Sequence, residues 1–298
     1  MYDRILIPVD GSDEARRAAK RGLEFAQVFD ATVDVLHVVA RRSRRLTKTE
    51  AEEARLRERG EEILEEIEAI ASDLGHPATT TVTSGKPTVQ IAEFAATRNA
   101  ALIVVGRQGR TGLGKRLLGG VTEGLLNRSD VPVLVVPAGD RTTAGETDYS
   151  RLLVPTDGSE NAEVATRHGV TVARHFDSTV HVLNVVDLQA AGGAFDVGGL
   201  EKEFVERLEA NGQDAVDAVA AEIDDTAPDL DVETAVARTT SFDGAAAGIR
   251  EYVADHDIDL IVMGSHGRSN LGRQLLGSVT SNVLRTVDVP VLVVNRPS

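Results

Sequence analysis

Short apolar runs alternate with longer amphipathic stretches along the whole chain. The runs are rich in β-branched residues, as strands are, and the stretches between them carry apolar residues at helical spacing. Strands that alternate with helices form βαβ units, in which neighbouring strands run parallel. The run Leu102–Gly106 is apolar throughout, which is typical of a strand covered on both faces. The pattern therefore predicts an α/β fold.

The pattern predicts five strands and four helices in each half of the chain. In the first half we expect strands near residues 3–9, 32–39, 79–83, 101–105 and 132–136, and helices near residues 12–29, 48–74, 87–98 and 119–128. In the second half we expect strands near residues 151–156, 179–186, 232–237, 258–263 and 290–294, and helices near residues 159–176, 200–222, 243–255 and 277–286. Ser12 is a suitable N-cap for the first helix, and Pro87 is a suitable first residue for the third, with Ile91, Phe94 and Ala95 facing inward.

The two halves also repeat one another in sequence. The opening Ile5–Ser12 corresponds to Leu152–Ser159, and the closing Val131–Val136 corresponds to Val289–Val294. Internal repetition of this kind indicates two copies of one domain.

The register between the copies is not constant. The openings align at an offset of 147 residues and the closings at 158, so the second half gains eleven residues in its middle. We attribute part of this gain to the glycine-rich segment Ala190–Gly199, which we interpret as a mobile loop. The predicted domains are residues 1–138 and 149–298, joined by a small and polar linker at about 138–148.

Composition narrows the function classes. The chain of 298 residues contains no cysteine, which excludes disulfides, thiolate metal sites and cysteine nucleophiles. No apolar run approaches the roughly 18 residues of a membrane span, and the first residues follow a strand pattern rather than that of a signal peptide. We therefore expect a cytoplasmic protein without a membrane partner.

The net charge of −15 is shared unequally between the halves. Residues 1–148 contain 21 Lys and Arg against 23 Asp and Glu, whereas residues 149–298 contain 11 against 24. An acidic surface disfavours nucleic-acid binding, because phosphates require positive charge. Only five of the basic residues are lysine. This composition resembles that of halophilic proteins from salt-loving organisms, and ordinary solubility charge is the alternative.

A spaced glycine motif occurs once in each half, after the fourth predicted strand. The motifs read Gly106-Arg-Gln-Gly109, nine residues, then Gly119-Gly120, and Gly264-Ser-His-Gly267, nine residues, then Gly277-Ser278. An aspartate, Asp10 or Asp157, follows the first strand of the same half. Open parallel sheets bind ligands beyond the carboxyl ends of their strands, where the strand order reverses. The pairing of motif and aspartate indicates a ligand site, with tight turns alone as the alternative.

The helix after each motif offers donors to an anion. Its first amides lack acceptors within the helix, and the helix dipole places partial positive charge there. In the second half the hydroxyls of Ser278 and Thr280 can donate to phosphate oxygens. The pattern therefore favours a phosphate-bearing ligand.

The motif G-x-x-G, nine residues, G-[S/T], in a domain that opens with P-[V/T]-D-G-S, resembles the universal stress protein family. The resemblance covers nearly the whole chain as a tandem of two such domains. It implies two doubly wound domains, each with a five-stranded parallel sheet in the order 3-2-1-4-5. It also implies that Val133–Val136 meets Val291–Val294 in an internal pseudo-dimer. In the family's ATP-binding members the glycine loop holds phosphates and ribose, and the ends of strands 1 and 2 hold the adenine.

The resemblance implies nucleotide-binding residues in both halves. In the second half they are Pro155, Thr156, Asp157, Val185, Met263, Gly264, His266, Gly267, Arg268, Gly277, Ser278, Val279 and Thr280. In the first half they are Pro8, Val9, Asp10, Val38, Gly106, Gly109, Arg110, Gly119, Gly120, Val121 and Thr122.

Each half departs from the family pattern at a different place. Gly120 stands where the motif has Ser or Thr. The missing hydrogen bond to a charged partner is worth roughly 1.5–3 kcal/mol. The first half keeps Gly85-Lys-Pro87 before its third helix, whereas the second has Ser241-Phe-Asp243, which alters the base-side wall. We expect the second half to bind phosphates more tightly.

Two further features allow alternative interpretations. Asp10 and Asp157 either orient a phosphate-bound Mg²⁺ or cap the following turn. The cluster Arg41-Arg-Ser-Arg-Arg45 either attracts a polyphosphate or is a solvated loop. The histidines other than His266 lack metal-ligand spacing and are interpreted as structural.

The sequence contains no P-loop and no nucleophile elbow, and no general base stands out, so fast ATP hydrolysis is not expected. The leading hypothesis is a stress-response regulator, not an enzyme, that binds ATP, ADP or AMP and acts on an unidentified protein partner. The alternatives are a slow ATP-hydrolysing switch and an interaction module with vestigial nucleotide sites. We expect two chains to assemble further as a homodimer.

Overall fold

The structure is a computed structural model that describes residues 1–40, 50–109, 117–139, 149–192, 202–267 and 276–295. The chain divides into two compact units, Met1–Thr147 and Asp148–Ser298. Each unit is an α/β domain with a parallel sheet, as the alternation of apolar and amphipathic segments predicts.

The first unit alternates strands and helices in the predicted order. Its strands are β1 (Arg4–Val9), β2 (Thr32–Ala40), β3 (Ala78–Gly85), β4 (Leu102–Gly106) and β5 (Val133–Val136). Its helices are α1 (Asp13–Val28), α2 (Glu50–Asp73), α3 (Pro87–Arg98) and α4 (Gly120–Leu126).

The second unit repeats this order with one added helix. Its strands are β6 (Arg151–Pro155), β7 (Thr179–Asp187), β8 (Val232–Thr239), β9 (Leu260–Gly264) and β10 (Val291–Val294). Its helices are α5 (Glu160–Phe176), α6 (Leu188–Gly192), α7 (Lys202–Thr226), α8 (Ala245–Asp255) and α9 (Ser278–Thr286).

The first strand of each unit lies at the centre of its sheet. In the first unit β1 pairs in parallel with β2 and β4, while β3 pairs with β2 and β5 with β4. In the second unit β6 pairs with β7 and β9, while β8 pairs with β7 and β10 with β9. The strand order within each unit therefore reverses between the first and fourth strands, which is where a doubly wound sheet presents a ligand site.

Local chemistry fixes the helix starts as predicted. The Ser12 hydroxyl accepts a hydrogen bond from the Ala15 amide at 3.1 Å, and Ser159 does the same for Ala162 at 3.4 Å. Each serine satisfies one helix amide that has no acceptor within the helix. Pro87 begins α3, where the missing N–H of proline carries no cost.

The interpretation of Ala190–Gly199 as a loop is wrong at its start. The short helix α6 extends to Gly192, and the Asp187 side chain accepts a hydrogen bond from the Ala190 amide at 2.9 Å. The acidic cap stabilises a turn that composition alone does not predict. Residues 193–201 lie outside the described part of the chain.

Strand register locates the extra residues of the second half. Val33 pairs with Ala78 and Val180 with Val232, so the offset between the halves rises from 147 to 154 by the third strand. The remaining four residues lie before the fourth strand, because Ala101 donates to the Arg4 carbonyl and Asp259 to that of Arg151. Helix α3 begins at Pro87 and α8 at Ala245, already an offset of 158, so the shorter insertion lies between β8 and α8, at the carboxyl edge of the sheet.

Candidate functional site

An aspartate follows the central strand in each unit and caps the turn into the next helix. Asp10 Oδ1 accepts a hydrogen bond from the Ser12 amide at 3.0 Å, and Asp157 Oδ1 accepts one from the Ser159 amide at 3.0 Å. These bonds form Asx turns, which hold the carboxylates at the carboxyl end of the sheet. These contacts correspond to the turn-cap interpretation of Asp10 and Asp157.

The second oxygen of each aspartate lies against the glycine motif. A Cβ built on Gly109 would stand 2.5 Å from Asp10 Oδ2, and one built on Gly267 would stand 2.5 Å from Asp157 Oδ2. Real Cβ atoms do not approach so closely, so only glycine fits unless the carboxylate moves. The fold therefore brings together the aspartate and the motif that lie far apart in the sequence.

Each glycine motif closes on itself through a backbone hydrogen bond. The Gly119 amide donates to the Arg107 carbonyl at 2.9 Å, and the Gly277 amide donates to the Ser265 carbonyl at 2.8 Å. These bonds join the residue before the helix to the residue after the strand. The Gly119 and Gly277 amides are therefore used within the loop.

A buried threonine strengthens the same closure. The Thr122 hydroxyl donates to the Gly106 carbonyl at 2.9 Å, and the Thr280 hydroxyl donates to the Gly264 carbonyl at 2.9 Å. Both threonines are almost fully buried, with 4% and 3% of their surfaces exposed. The expectation that the Thr280 hydroxyl donates to phosphate is therefore corrected, because its one proton is already bound to a carbonyl.

The first turns of α4 and α9 present the remaining donors. The amides of Ser278, Val279 and Thr280 have no acceptor within α9, because the first amides of a helix never do. Ser278 is exposed, so its hydroxyl is accessible to a ligand. At the corresponding position of α4, Gly120 is exposed, and no atom lies within 4 Å of a Cβ built on it. A serine there would therefore meet no obstacle.

In each unit, a side chain of the second strand forms a hydrogen bond with a backbone carbonyl at the end of the first strand. The buried His37 ring shares a hydrogen bond between Nδ1 and the Val9 carbonyl at 2.9 Å, and Asn184 Nδ2 donates to the Thr156 carbonyl at 2.8 Å. His37 and Asn184 occupy equivalent positions in β2 and β7. His37 pairs with Val9, and Asn184 directly follows Leu183, which pairs with Pro155. Sequence reasoning assigned His37 only a structural role and missed Asn184. The feature of the sequence that could have indicated this role is that both residues carry a side-chain N–H donor.

The apolar residues expected beside a base are only partly accessible. Val9 and Met263 each expose 5% of their surface and belong to the core. Val185 is half-buried and lies against α8, where a Cβ on Gly248 would stand 2.6 Å from its Cγ1. Val38 is also half-buried. Among the other predicted residues, Pro8 and Pro155 at the strand ends are half-buried, Val121 is exposed, Val279 and His266 are half-buried, and Thr156 is buried.

The segment before the third main helix, which we assigned from the sequence to a base-side wall, differs between the halves. In the second half the insertion carries Phe242, which is 95% exposed. Gly244 follows with a φ of 58°, and a Cβ on it would stand 2.5 Å from Asp187 Oδ2. In the second half this segment is therefore a glycine turn against β7, where the first half has Gly85-Lys-Pro87.

A groove of about 570 Å³ lies beside the second site, where α5 and α7 face each other. Thr156 and Gly158 form its end, and the side chains of Glu163, Asp214 and Glu222 line it. Three carboxylates make this groove unfavourable for a phosphate. The groove is therefore distinct in charge from the glycine motif.

Several predicted residues lie outside the described ranges. These are Arg110, Arg268, the cluster Arg41–Arg45 and most of the linker, residues 140–148. Within the ranges that the structure does cover, no group of three or more His, Cys, Asp or Glu side chains is arranged to hold a metal ion. Nor does any helix of those ranges combine the length and apolar character that a membrane crossing needs.

The fold and the site define a class of protein with two doubly wound α/β domains in tandem, each with a glycine loop against an aspartate. The sequence profile of the universal stress protein family matches residues 1–137 and 148–295. The chain therefore belongs to the universal stress protein family.

Individual relatives agree with this assignment. A universal stress protein of Methanocaldococcus jannaschii is 37% identical over 145 residues, which cover 46% of this chain and 82% of that protein. One from Mycolicibacterium smegmatis is 30% identical over 305 residues, which cover 98% of this chain and 97% of that protein. The crystal structure of a universal stress protein from Archaeoglobus fulgidus has the same fold, with a TM-score of 0.75, 24% identity and 99% of both chains covered.

Proposed function

We propose that each half binds an adenine nucleotide, ATP or AMP, at its glycine motif. The observation that carries this proposal is the contact between Asp157 and Gly267, repeated by Asp10 and Gly109, at the point where the strand order reverses. The start of the following helix adds amides and a partial positive charge to the same edge of the sheet. Phosphates bind at the helix start, and the base binds toward the ends of the first and second strands.

The bound nucleotide acts as a signal and not as a substrate. Both aspartates already hold a backbone amide of the next turn, a role in which they orient the loop. Occupancy changes the order of the glycine loop and with it the affinity for a protein partner in the cytoplasm. A homodimer of the tandem chain is part of this proposal.

A slow ATP-hydrolysing switch is the second candidate. The observation that favours it is that Asp157 Oδ2 lies against the glycine motif, since carboxylate oxygens are ligands for a phosphate-bound Mg²⁺. Steady release of phosphate that requires Mg²⁺ and disappears in Asp157→Ala would support this candidate. Release that persists when both Asp10 and Asp157 are changed to alanine would exclude it.

The two sites differ in strength. Ser278 adds an exposed hydroxyl at the helix start, whereas Gly120 adds none. One hydrogen bond to a charged group contributes about 1.5–3 kcal/mol, or roughly ten- to a hundredfold in affinity. The second half therefore binds ATP more tightly than the first.

Calorimetric titration of ATP and AMP tests the proposal. Ser278→Ala should weaken the tighter site and Gly120→Ser should strengthen the other. Ser278→Asp and Gly120→Asp should each abolish one site, because the added carboxylate repels phosphate while favouring the helix start. Ser278→Asn and Gly120→Asn, which match these in shape without the charge, are the controls.

Three results would overturn the proposal. The first is an absence of nucleotide binding by the wild-type chain and of any nucleotide released from the purified protein. The second is equal affinity in the wild type, Ser278→Ala and Gly120→Ser. The third is the same loss of binding in the Asp and Asn variants, which would exclude phosphate charge as the cause.

A further inference from the structure

A carboxylate of the first half is bound to its own glycine loop. Glu14 lies in the first turn of α1, and its Oε2 accepts a hydrogen bond from the backbone amide of Gln108 at 2.7 Å. Gln108 is the third residue of the motif Gly106-Arg-Gln-Gly109. One amide of this motif is therefore already occupied by a negatively charged group.

The second half has an amide side chain at the same place. A Cβ built on Gly106 would stand 3.1 Å from atoms of Glu14. One built on Gly264 would stand 3.0 Å from atoms of Asn161, which therefore occupies the equivalent place. Asn161 does the reverse of Glu14, because its Nδ2 donates to the His266 carbonyl at 3.1 Å. Asn161 therefore holds the loop without adding negative charge.

A second difference between the halves also places negative charge near the first-half site. The first turn of α4 carries the exposed Glu123, one turn after Gly119, whereas the first turn of α9 carries the neutral Ser281. Both residues donate their amides to the glycine before the helix, which places them at equivalent positions. Negative charge near a helix start opposes an incoming anion.

We propose that Glu14 is a specificity residue that directs the first-half site toward ligands of low negative charge, such as a nucleoside or its monophosphate. Asn161 leaves the second-half site open to a triphosphate. This inference rests on the proposed nucleotide function. A phosphate that approaches the Gln108 amide must displace the Glu14 carboxylate and then remain close to it, so each additional phosphate charge lowers affinity further.

The experiment measures ATP, AMP and adenosine affinities in chains that keep one site. Ser278→Asp leaves only the first-half site able to bind a nucleotide. Glu14→Gln in that background removes the negative charge while keeping an acceptor for the Gln108 amide. We expect ATP affinity to rise about tenfold, the effect of one charged group on a nearby anion. AMP affinity should rise less and adenosine affinity should not change.

The reciprocal variant tests the same idea in the other half. Gly120→Asp leaves only the second-half site able to bind a nucleotide. Asn161→Glu in that background adds one negative charge, so it should lower ATP affinity about tenfold and leave adenosine affinity unchanged. Thermal unfolding of each variant without ligand, compared with its single-site parent, shows whether the loop still folds.

The outcomes separate the inference from the proposed function. Unchanged ATP affinity in both Glu14→Gln and Asn161→Glu, with Ser278→Asp still abolishing the other site, overturns the inference alone. Equal shifts for ATP, AMP and adenosine also overturn it, because they indicate that Glu14 only shapes the loop. Absence of binding by the wild type and every variant overturns the proposed function and this inference together.

Discussion

Asp157 and Gly267 lie so close that a Cβ on residue 267 would stand 2.5 Å from Asp157 Oδ2. The other carboxylate oxygen of Asp157 holds the Ser159 amide at 3.0 Å. The aspartate is therefore fixed between the start of α5 and the glycine loop, and it couples the central strand to the motif that follows β9. The same relationship joins Asp10 to Gly109.

Gly267→Ala tests this coupling. The added methyl group must displace the Asp157 carboxylate or the loop, and such overpacking costs about 1–3 kcal/mol. We expect a lower free energy of unfolding in urea and weaker ATP binding at the second site. Gly120→Ala is the matched control, because its Cβ meets no atom within 4 Å and should raise stability slightly in helix α4. Equal stability of Gly267→Ala and the wild type would contradict the proposed contact.

The buried threonine at the start of α9 gives a second prediction. Thr280→Val keeps the shape of the side chain but leaves the Gly264 carbonyl without its donor, which costs about 1–3 kcal/mol at a buried site. Thr280→Ser keeps the hydroxyl and should lose less. Urea unfolding of both variants measures the difference. If valine destabilises the chain less than serine does, packing of the methyl group and not the hydrogen bond holds the loop.

Most of the fold follows from local patterns that the sequence displays directly. Apolar runs and cap residues such as Ser12 and Pro87 predict the elements, because burial and capping act over a few neighbouring residues. The short helix α6 was missed because its start is stabilised by the side chain of Asp187, within a segment whose composition indicates a loop.

The candidate site is only partly visible in the sequence. Repetition of the aspartate and the glycine motif indicates that they belong together, since two copies make coincidence improbable. The partner of a side chain is a three-dimensional property, which is why the Thr280 hydroxyl was assigned to phosphate although it binds the Gly264 carbonyl. The contrast between Glu14 and Asn161 becomes meaningful only once their contacts with the loop are known.

The strand-end contact of His37 gives a third prediction. His37→Asn should cost less than about 1 kcal/mol, because Asn184 makes the equivalent bond in the second half. His37→Leu keeps much of the volume but removes the side-chain hydrogen bond to the Val9 carbonyl, so it should cost about 0.5–1.5 kcal/mol more than His37→Asn and weaken ATP binding at the first site. Urea unfolding and calorimetry of both variants check this. A leucine variant as stable as the asparagine variant would show that the ring serves only as packing.

Equivalent buried positions of β2 and β7 carry groups of opposite chemistry. In β2 the Asp34 carboxylate is bound by Arg4 at 2.9 Å and by Arg98 at 2.7 Å. In β7 the position belongs to His181, whose Nδ1 lies 3.1 Å from the Tyr252 hydroxyl and 3.5 Å from Glu233. The ring of His256, the C-cap residue of α8, lies 6.0 Å from that of His181. Burial lowers the pKa of His181, and the charge of Glu233 opposes this shift while His256 and Arg151 reinforce it.

This difference predicts that acid destabilises the chain through His181. Because the pKa is lower in the folded state than in the unfolded state, unfolding takes up a proton below about pH 6.5, and stability falls as the pH decreases. One proton contributes at most about 1.4 kcal/mol for each pH unit. His181→Asn, which does not titrate and keeps a polar partner for Tyr252, should flatten the decrease in the melting temperature between pH 7 and pH 5. His168, whose pKa burial lowers to about 4, titrates in both proteins, so their difference isolates His181. Parallel melting curves over this range would show that His181 takes up no proton on unfolding.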